Sequence, residues 1–181
     1  LPGNVPLNEP IQQSIREKRH ATVCYFDLDN FKPYNDTYGY NKGDKVITKT
    51  AKILSQFIDY ENDFLGHVGG DDFIVIFDSQ DWRNRCEMML EAFALLYSEL
   101  YSDNDLQQGG IQALDRYGQQ VFYPLLSLSI GAVTISDFEY LIDETDLAEH
   151  ATKAKSKAKK IPGNSLYQLN LADCQPLAEA G

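Results

Sequence analysis

Blocks of apolar and polar residues follow one another along this chain, and the first clear block predicts a strand. Residues 21–29, ATVCYFDLD, are β-branched and aromatic and end in acid, as a buried strand would. The following NFKPYNDTYG predicts a short helix closed by Gly39. Asp44 is predicted to cap the next helix, KVITKTAKILSQFIDY. Apolar residues at helical spacing give that helix one apolar face: Val46, Ile47, Ala51, Leu54, Phe57 and Ile58.

The second half of the pattern predicts two hairpins and two more helices. DFLGHV and FIVIF flank residues 69–72, GGDD, which predicts a β-hairpin. A long helix is predicted over residues 82–101, followed by a polar loop around DNDLQQGG. A second hairpin turns at RYGQQ and returns through VFYPLLSLSIGAVTI, where Pro124 indicates a bulge or a sheet edge. A helix from about Thr145 to Lys160 and a short strand, SLYQL, come last.

Strands paired through hairpins, with helices between them, predict an α+β fold with a mostly antiparallel central sheet flanked by helices. The 181 residues are enough for one domain with a sizeable core. Pro10 predicts a helix near the start. We expect one domain over residues 1–169 and a poorly ordered tail over 170–181. The loop-like opening LPGNVPLNEP, without a Met, is expected of a domain excised from a larger multidomain protein.

The charge balance narrows the expected partners. With 27 acidic and 16 basic side chains, the formal charge is -11. Proteins that bind nucleic-acid polymers usually carry an excess of basic side chains, so such a partner is not expected. A small anionic ligand carried with Mg²⁺ remains compatible. Cys24, Cys86 and Cys174 have no metal-ligand spacing, and a reducing, cytoplasmic setting is expected. No signal peptide or membrane-spanning segment is predicted.

Two pairs of carboxylates are the strongest candidates for chemistry. Asp27 and Asp29 end the first strand, and Asp71 and Asp72 occupy the hairpin turn. If the two strands are neighbours, Asp27 and Asp71 converge at one sheet edge, where oxygen ligands suit Mg²⁺. The two glycines before Asp71 would let a phosphate chain approach the backbone closely. Acids at turns are also common as turn formers, so other residues must decide between the two interpretations.

Several motifs together resemble a known family. FDLDNFKPYNDTYGYNKGD is similar to the pattern F-D-x-D-x-F-K-x-x-N-D-x-x-G-x-x-x-G-D, and GGDDF resembles the signature Gly-Gly-(Asp/Glu)-Glu-Phe. SLSIGAV and AKKIPGN resemble two further family segments, so the resemblance runs from Leu1 to about Leu169. The family is that of GGDEF diguanylate cyclases, nucleotidyltransferases that condense two GTP into the bacterial second messenger cyclic di-GMP. A palm-like fold of the ferredoxin or nucleotidyl-cyclase kind is implied.

The resemblance also implies roles for single residues. Its metal positions, for Mg²⁺ or Mn²⁺, correspond to Asp27, the carbonyl of Leu28, Asp71 and Asp72, and the last two are also the catalytic positions. Its substrate positions correspond to Lys32, Asn35, Asp44, Gly69, Gly70 and Lys159. Asn35 and Asp44 would read the guanine edge, the two lysines would contact phosphates, and the two glycines would lie beneath the triphosphate. Helix capping by Asn35 and Asp44, and ordinary surface positions for the lysines, remain alternative interpretations.

Four departures from the family pattern bear on activity. Asp72 stands where Glu is usual, which withdraws the carboxylate by one methylene, and catalytic geometry is sensitive at about the 1 Å level. His67 and Gly163 each replace an arginine. Residues 60–63, YEND, occupy the position of the inhibitory R-x-x-D motif without its arginine, so we expect no product inhibition through that site.

Two functional hypotheses follow. In the first, the chain is a cyclase, fast or slow, in which two GTP-loaded domains meet as a homodimer. In the second, it is a degenerate GTP-binding or regulatory module without turnover, which controls an attached cyclic di-GMP phosphodiesterase or sensor domain. Retention of the acid and guanine positions favours nucleotide binding, and loss of the usual Glu and of two arginines favours weak turnover.

Overall fold

A computed structural model describes residues 21–115, 117–135 and 144–170 of the chain. Its strands are seven: β1 Ala21–Asp29, β2 Phe64–Gly69, β3 Asp72–Phe77, β4 Gly110–Leu114, β5 Gln120–Pro124, β6 Ser127–Ile135 and β7 Ser165–Leu169. Its helices over the same residues are six: α1 Phe31–Tyr38, α2 Tyr40–Gln56, α3 Trp82–Ala94, α4 Tyr97–Leu100, α5 Asp103–Gln108 and α6 Glu144–Ala158. The predicted helix after Pro10 lies outside the described residues.

Five strands form the central sheet in the order β2-β3-β1-β6-β7. β1 lies in the middle and pairs antiparallel with β3 and with β6, whereas β7 joins β6 in parallel. The predicted α+β fold with a mostly antiparallel sheet is therefore confirmed. β4 and β5 form a separate two-stranded sheet.

Helices cover both faces of the central sheet. Alternate residues of β1 enter opposite cores, because successive side chains of a strand point to opposite faces. Phe26 and Leu28 join the larger core together with α1, α2 and α3, and Val23 joins the smaller core, to which α6 contributes Ala151 and Ala154. This double burial explains why β1 is a continuous apolar run until it reaches the acids at its end.

Asp44 does not cap a helix, and that prediction is wrong. α2 begins at Tyr40, directly after Gly39, so Asp44 lies inside the helix and is exposed. Gly39 adopts φ 87° and ψ 153°, a conformation that a glycine reaches at little cost. This single residue ends α1 and starts α2, which leaves no loop for a cap at Asp44.

Three other boundaries differ from the predictions. The long helix over residues 82–101 is divided at Leu95 and Leu96, where the N–H of Leu96 donates to the carbonyl of Phe93 in a tight turn. The polar loop contains α5, which Ser102 caps by accepting from the N–H of Asp105. The long return strand ends at Pro124 and resumes as β6 after two residues, since proline has no N–H to continue the ladder.

Candidate active site

The acid cluster forms where β1 meets the β2–β3 hairpin. In the antiparallel register of β1 and β3, Asp27 lies directly opposite Asp72. Asp71 occupies the turn, which is made by Gly69 and Gly70 with φ values of 145° and 57°. A register shift between His67 and Gly69 marks a bulge just before that turn. The predicted convergence of Asp27 with the acids of the hairpin turn is confirmed, and the catalytic and metal roles assigned to these residues stay predictions.

Lys155 of α6 and Lys159, directly after the end of that helix, reach into this cluster. Lys159 Nζ donates to Asp27 Oδ1 at 2.5 Å, and Lys155 Nζ lies 3.2 Å from Asp27 Oδ2 and 2.7 Å from Asp72 Oδ1. The N–H of Lys159 donates to the carbonyl of Lys155, which continues the helical turn, and side chains four residues apart on such a turn lie on one face, so both lysines reach Asp27. Lys159 was among the predicted residues and Lys155 was not. The i, i+4 spacing within ATKAKSKAKK was the available signal for it.

The pKa values of Asp27 and Asp71 shift in opposite directions in this cluster. Burial opposes ionisation of Asp27, but the hydrogen bonds and charges of Lys159 and Lys155 outweigh it and lower the pKa of Asp27. Burial raises the pKa of Asp71, and the negative charges of Asp27 and Asp72 raise it further. In the described part of the chain Asp71 has no ion-pair partner at contact distance. Asp71 is thus the acid of the cluster whose charge is least compensated.

Asp29 faces the neighbouring strand instead. Its Oδ2 accepts hydrogen bonds from Ser127 Oγ at 2.9 Å and from Ser129 Oγ at 2.5 Å. Burial raises the pKa of Asp29 in spite of these two donors. Leu28, between the two acids, is buried and lies opposite Leu128 of β6. Asp29 Oδ2 is therefore bound to β6, while its Oδ1 lies 3.7 Å from Lys159 Nζ at the border of the cluster around Asp27.

The predicted guanine residues lie on α1 and α2. Asn35 Oδ1 is a buried oxygen without a hydrogen-bond donor among the described residues. It points at Gly43, where an added Cβ would lie only 1.7 Å away, so a larger residue there would push Asn35 aside. Asp44 follows Gly43 on the exposed surface of α2. A buried acceptor without a donor costs free energy, and a ligand N–H would relieve that cost.

Lys32 is not brought to the acid cluster. Its Nζ pairs with Asp36 Oδ2 at 2.9 Å, and its side chain is 87% exposed. It borders a groove between α1 and the β4–β5 sheet that Leu114 and Tyr123 also line. Its predicted contact with phosphate stays a prediction, which requires the lysine to leave Asp36.

His67 and Gly163, which stand where the family pattern has arginine, each contribute to the local structure. His67 Nε2 lies 2.9 Å from the carbonyl oxygen of Gly70, and its ring stacks on Phe73 with centroids 4.8 Å apart. The histidine therefore braces the hairpin turn from within β2. Gly163 has φ 77°, a left-handed conformation that disfavours other residues. The replacement at Gly163 thus also serves the turn between α6 and β7.

Asp63, the remaining acid of the inhibitory motif position, is fully buried and paired within the chain. Arg85 Nη1 donates to Asp63 Oδ2 at 2.7 Å, and Arg85 Nη2 is also bonded to that oxygen. Tyr60, at the position of the missing arginine, is 65% exposed. Asp63 is therefore committed to an internal ion pair, which supports the prediction of no product inhibition through this motif.

The acid cluster contains the oxygen ligands that a divalent metal ion prefers. Among the described residues, no set of three or more His, Cys, Asp and Glu side chains is arranged as a finished metal site. Asp27, Asp71 and Asp72 nevertheless provide the carboxylate oxygens that Mg²⁺ and Mn²⁺ prefer. Burial and, after it, the negative charges of Asp27 and Asp72 raise the pKa of Asp71, and a cation would offset the charges. The residues present fit the metal by chemistry, with the lysines as its competitors.

Comparison with known proteins agrees with this geometry. The sequence model described as "Diguanylate cyclase, GGDEF domain" matches residues 4–165. The chain belongs to the GGDEF family. In the part of this GGDEF domain that the structure describes, no helix has the length and apolar character to cross a bilayer.

Relatives match this GGDEF domain over part of their length. The bifunctional diguanylate cyclase/cyclic di-GMP phosphodiesterase MucR of Pseudomonas aeruginosa is 33% identical over 75 residues, which cover 41% of this chain and 11% of MucR. A diguanylate cyclase of Vibrio cholerae is 42% identical over 64 residues, covering 35% of this chain and 20% of that protein. The chain thus corresponds to a small part of these larger relatives.

The fold matches solved GGDEF domains over most of its length. A structure comprising only the GGDEF domain of YfiN (TpbB) from Pseudomonas aeruginosa aligns with a TM-score of 0.69 and 22% identity, covering 96% of this chain and 93% of that one. At this identity the likeness establishes the fold and leaves the chemistry to the residues of the site.

Proposed function

We propose that this domain condenses two molecules of GTP into cyclic di-GMP with release of pyrophosphate. The observation that carries the proposal is the register of β1 and β3, which sets Asp27 opposite Asp72 with Asp71 in the adjoining Gly-Gly turn. Carboxylates gathered beside a turn of small residues suit a metal-bound triphosphate. Relatives with diguanylate cyclase names make this reaction the first candidate.

The nucleotide would be held at its two ends. Asn35 and Asp44 would face the guanine edge, because a carboxylate and an amide oxygen accept from its N1–H and N2 amine. The orphan Oδ1 of Asn35 is the contact that this arrangement would satisfy. Gly69 and Gly70 would let the triphosphate pass close to the backbone, and Lys159 would exchange Asp27 for a phosphate oxygen.

A divalent ion would be held by Asp27, Asp71, Asp72 and the carbonyl oxygen of Leu28. When bound, Mg²⁺ or Mn²⁺ would neutralise charge on the triphosphate and on the leaving pyrophosphate. Asp71, with the least compensated charge, would gain most from the ion. Asp72 reaches less far than the usual glutamate, so we expect slow turnover.

Turnover requires two domains, because each holds one GTP. The 3′-hydroxyl oxygen of one nucleotide bonds to the α-phosphorus of the other, the bond to pyrophosphate breaks, and the hydroxyl proton leaves to solvent. A second, identical step closes the ring. We therefore propose a homodimer, with a linked sensor or phosphodiesterase domain of the kind that the name of MucR indicates. Location in the cytoplasm stays a prediction.

A second candidate function is regulation without turnover. It is favoured by the lysines that pair with Asp27 and Asp72, since these ion pairs occupy carboxylate oxygens that a metal would need. In this case the domain would bind GTP and pass that signal to an attached domain. The comparisons with cyclases weigh toward the enzyme.

Incubation of the purified domain at high concentration with GTP and Mg²⁺ or Mn²⁺ separates the two. The proposal predicts cyclic di-GMP, identified by chromatography and mass spectrometry. Absence of product together with measurable GTP binding would favour the regulatory module. Absence of both product and GTP binding would contradict both candidates.

Replacement of Asp44 tests the guanine site. Asp44→Ala is expected to weaken GTP binding by about tenfold to a hundredfold, since a hydrogen bond to a charged group contributes about 1.5–3 kcal/mol. ATP lacks the guanine donors and should bind equally weakly to both proteins. The control is Glu87→Ala, which removes an exposed carboxylate from α3. Titration calorimetry gives both affinities, and equal losses for GTP and ATP would refute a role in guanine recognition.

A further inference from the structure

Lys155 holds a position in the acid cluster that neither the motifs nor the comparisons assign. Its Nζ lies between Asp72 Oδ1, at 2.7 Å, and Asp27 Oδ2, at 3.2 Å. These two carboxylates come from neighbouring strands and face each other across the β1–β3 ladder. A cation between two opposed carboxylates is the geometry in which a divalent ion would join them.

The backbone at Lys155 is fixed by a close helix–sheet contact. α6 lies directly on Gly131 of β6, where an added Cβ would lie 2.1 Å from the backbone nitrogen of Lys155 and 2.6 Å from the carbonyl carbon of Ala154. Only a glycine allows such an approach. The start of the Lys155 side chain is therefore held over the face of the sheet, and the side chain is only 20% exposed where its ammonium group reaches the acids.

Lys155 and Lys159 differ in how firmly they are committed. The side chain of Lys155 is 20% exposed and bridges Asp27 and Asp72 on neighbouring strands. The side chain of Lys159 is 41% exposed and pairs with Asp27 and, at 3.7 Å, with Asp29 of the same strand. Lys159 is thus the more accessible of the two lysines to a ligand. If Lys155 moved away, Asp27 and Asp72 would lose the ammonium group that they share.

We propose that Lys155 is a resident cation of the acid cluster, which a divalent ion must displace before it can bind both Asp27 and Asp72. The inference rests on the metal role of these residues in the proposed function. It predicts weak metal affinity in the nucleotide-free domain, because binding includes the loss of the lysine contacts. A triphosphate would assist the exchange by offering the released ammonium a new negative partner.

The test measures Mn²⁺ binding without nucleotide and without turnover. Mn²⁺ is titrated into the domain, and the free ion is followed by electron paramagnetic resonance. Lys155→Met is expected to bind Mn²⁺ at least about tenfold more tightly than the unaltered domain, as removal of a competing charge at contact distance would give. Lys157→Met, an exposed change on the same helix, should bind like the unaltered domain. Equal or weaker binding by Lys155→Met would overturn the proposal.

Two additions keep the result decisive if the methionine variant does not fold. Lys155→Gln retains a hydrogen-bond donor without charge and should also bind Mn²⁺ more tightly. In the unaltered protein, reductive methylation mapped by mass spectrometry should modify Lys155 faster when Mn²⁺ is present, with Lys157 as the internal reference. A Lys155 reactivity that Mn²⁺ leaves unchanged contradicts displacement.

These measurements separate this inference from the proposed reaction. Tighter Mn²⁺ binding by the variants without any cyclic di-GMP would retain Lys155 as the resident cation and reject the cyclase. Product formation with unchanged Mn²⁺ affinity in the variants would retain the cyclase and reject the inference.

Discussion

Replacement of Arg85 by methionine is expected to lower the free energy of unfolding by about 3–5 kcal/mol, the range found when one partner of a buried ion pair is removed. The Asp63 side chain is completely buried, and Arg85 is 13% exposed. Without the guanidinium, the buried Asp63 side chain would lose the charged partner of its Oδ2. Denaturant unfolding followed by circular dichroism gives the free energy.

Arg85 also connects several segments around the ion pair. Its Nη1 donates to the carbonyl of Phe57 at 3.1 Å, and its Nη2 donates to Ser79 Oγ at 3.1 Å. Asp63 Oδ1 accepts in turn from the N–H of Asp78 at 3.1 Å. The pair therefore ties the end of α2 to the junction of β3 and α3, and its loss affects the connections on both sides of the hairpin.

The matched control for Arg85 is its neighbour Arg83. Arg83→Met removes an exposed guanidinium from the same helix, whose Nη2 donates to Gln168 Oε1 at 2.7 Å. Its cost is expected to stay below about 1 kcal/mol. The double variant Asp63→Leu/Arg85→Met should recover part of the loss, since no unpaired charge then remains. A cost for Arg85→Met no larger than for Arg83→Met would show that the ion pair contributes little to stability.

Replacement of Asp71 by asparagine is expected to reduce the rate of cyclic di-GMP formation at least about a hundredfold, which corresponds to about 2.7 kcal/mol of activation free energy. The change keeps the size of the side chain and removes the charge that would bind the metal. Asp71 lies in the Gly-Gly turn, where the backbone can retain its conformation with asparagine. The fold should therefore persist.

Three further measurements show whether a lower rate in Asp71→Asn comes from the lost carboxylate, from unfolding or from weaker GTP binding. Glu87→Gln, an exposed isosteric change on α3, should leave the rate unchanged. Equal thermal unfolding of Asp71→Asn and the unaltered domain would exclude loss of folding, and GTP affinity would separate binding from turnover. A variant that retains more than a tenth of the normal rate would contradict a metal-binding role for Asp71.

The strands of the central sheet were predicted best where a single hydrophobic pattern dominated the local sequence. β1, the β2–β3 hairpin and β7 were predicted because apolar runs bounded by turn residues have few alternatives. The ends of helices and strands were predicted wrongly where one residue redirects the chain. Gly39 joins two helices without a loop, and Pro124 divides a long strand. α5 escaped prediction because its sequence, DNDLQQ, has a single apolar residue, Leu106, which gives no helical periodicity.

The acids of the site and Lys159 were predicted from the sequence, whereas Lys155 was missed. Asp27, Asp71 and Asp72 could be anticipated because strand ends and hairpin turns meet at a sheet edge. The reach of Lys155 depends on how closely α6 approaches Gly131, a distance between separate elements that periodicity does not encode. The burial of Asp63 with Arg85 likewise depends on tertiary packing between segments 22 residues apart.

The most direct test of the central claim is the product ratio in a time course with GTP and Mn²⁺. Condensation of two GTP into one cyclic dinucleotide requires two pyrophosphates to be released for each cyclic di-GMP formed. Pyrophosphate is measured by an enzyme-coupled assay, and cyclic di-GMP by mass spectrometry of the same samples. The account predicts a ratio of two to one in the unaltered domain. Release of inorganic phosphate, or of pyrophosphate without cyclic di-GMP, would contradict it.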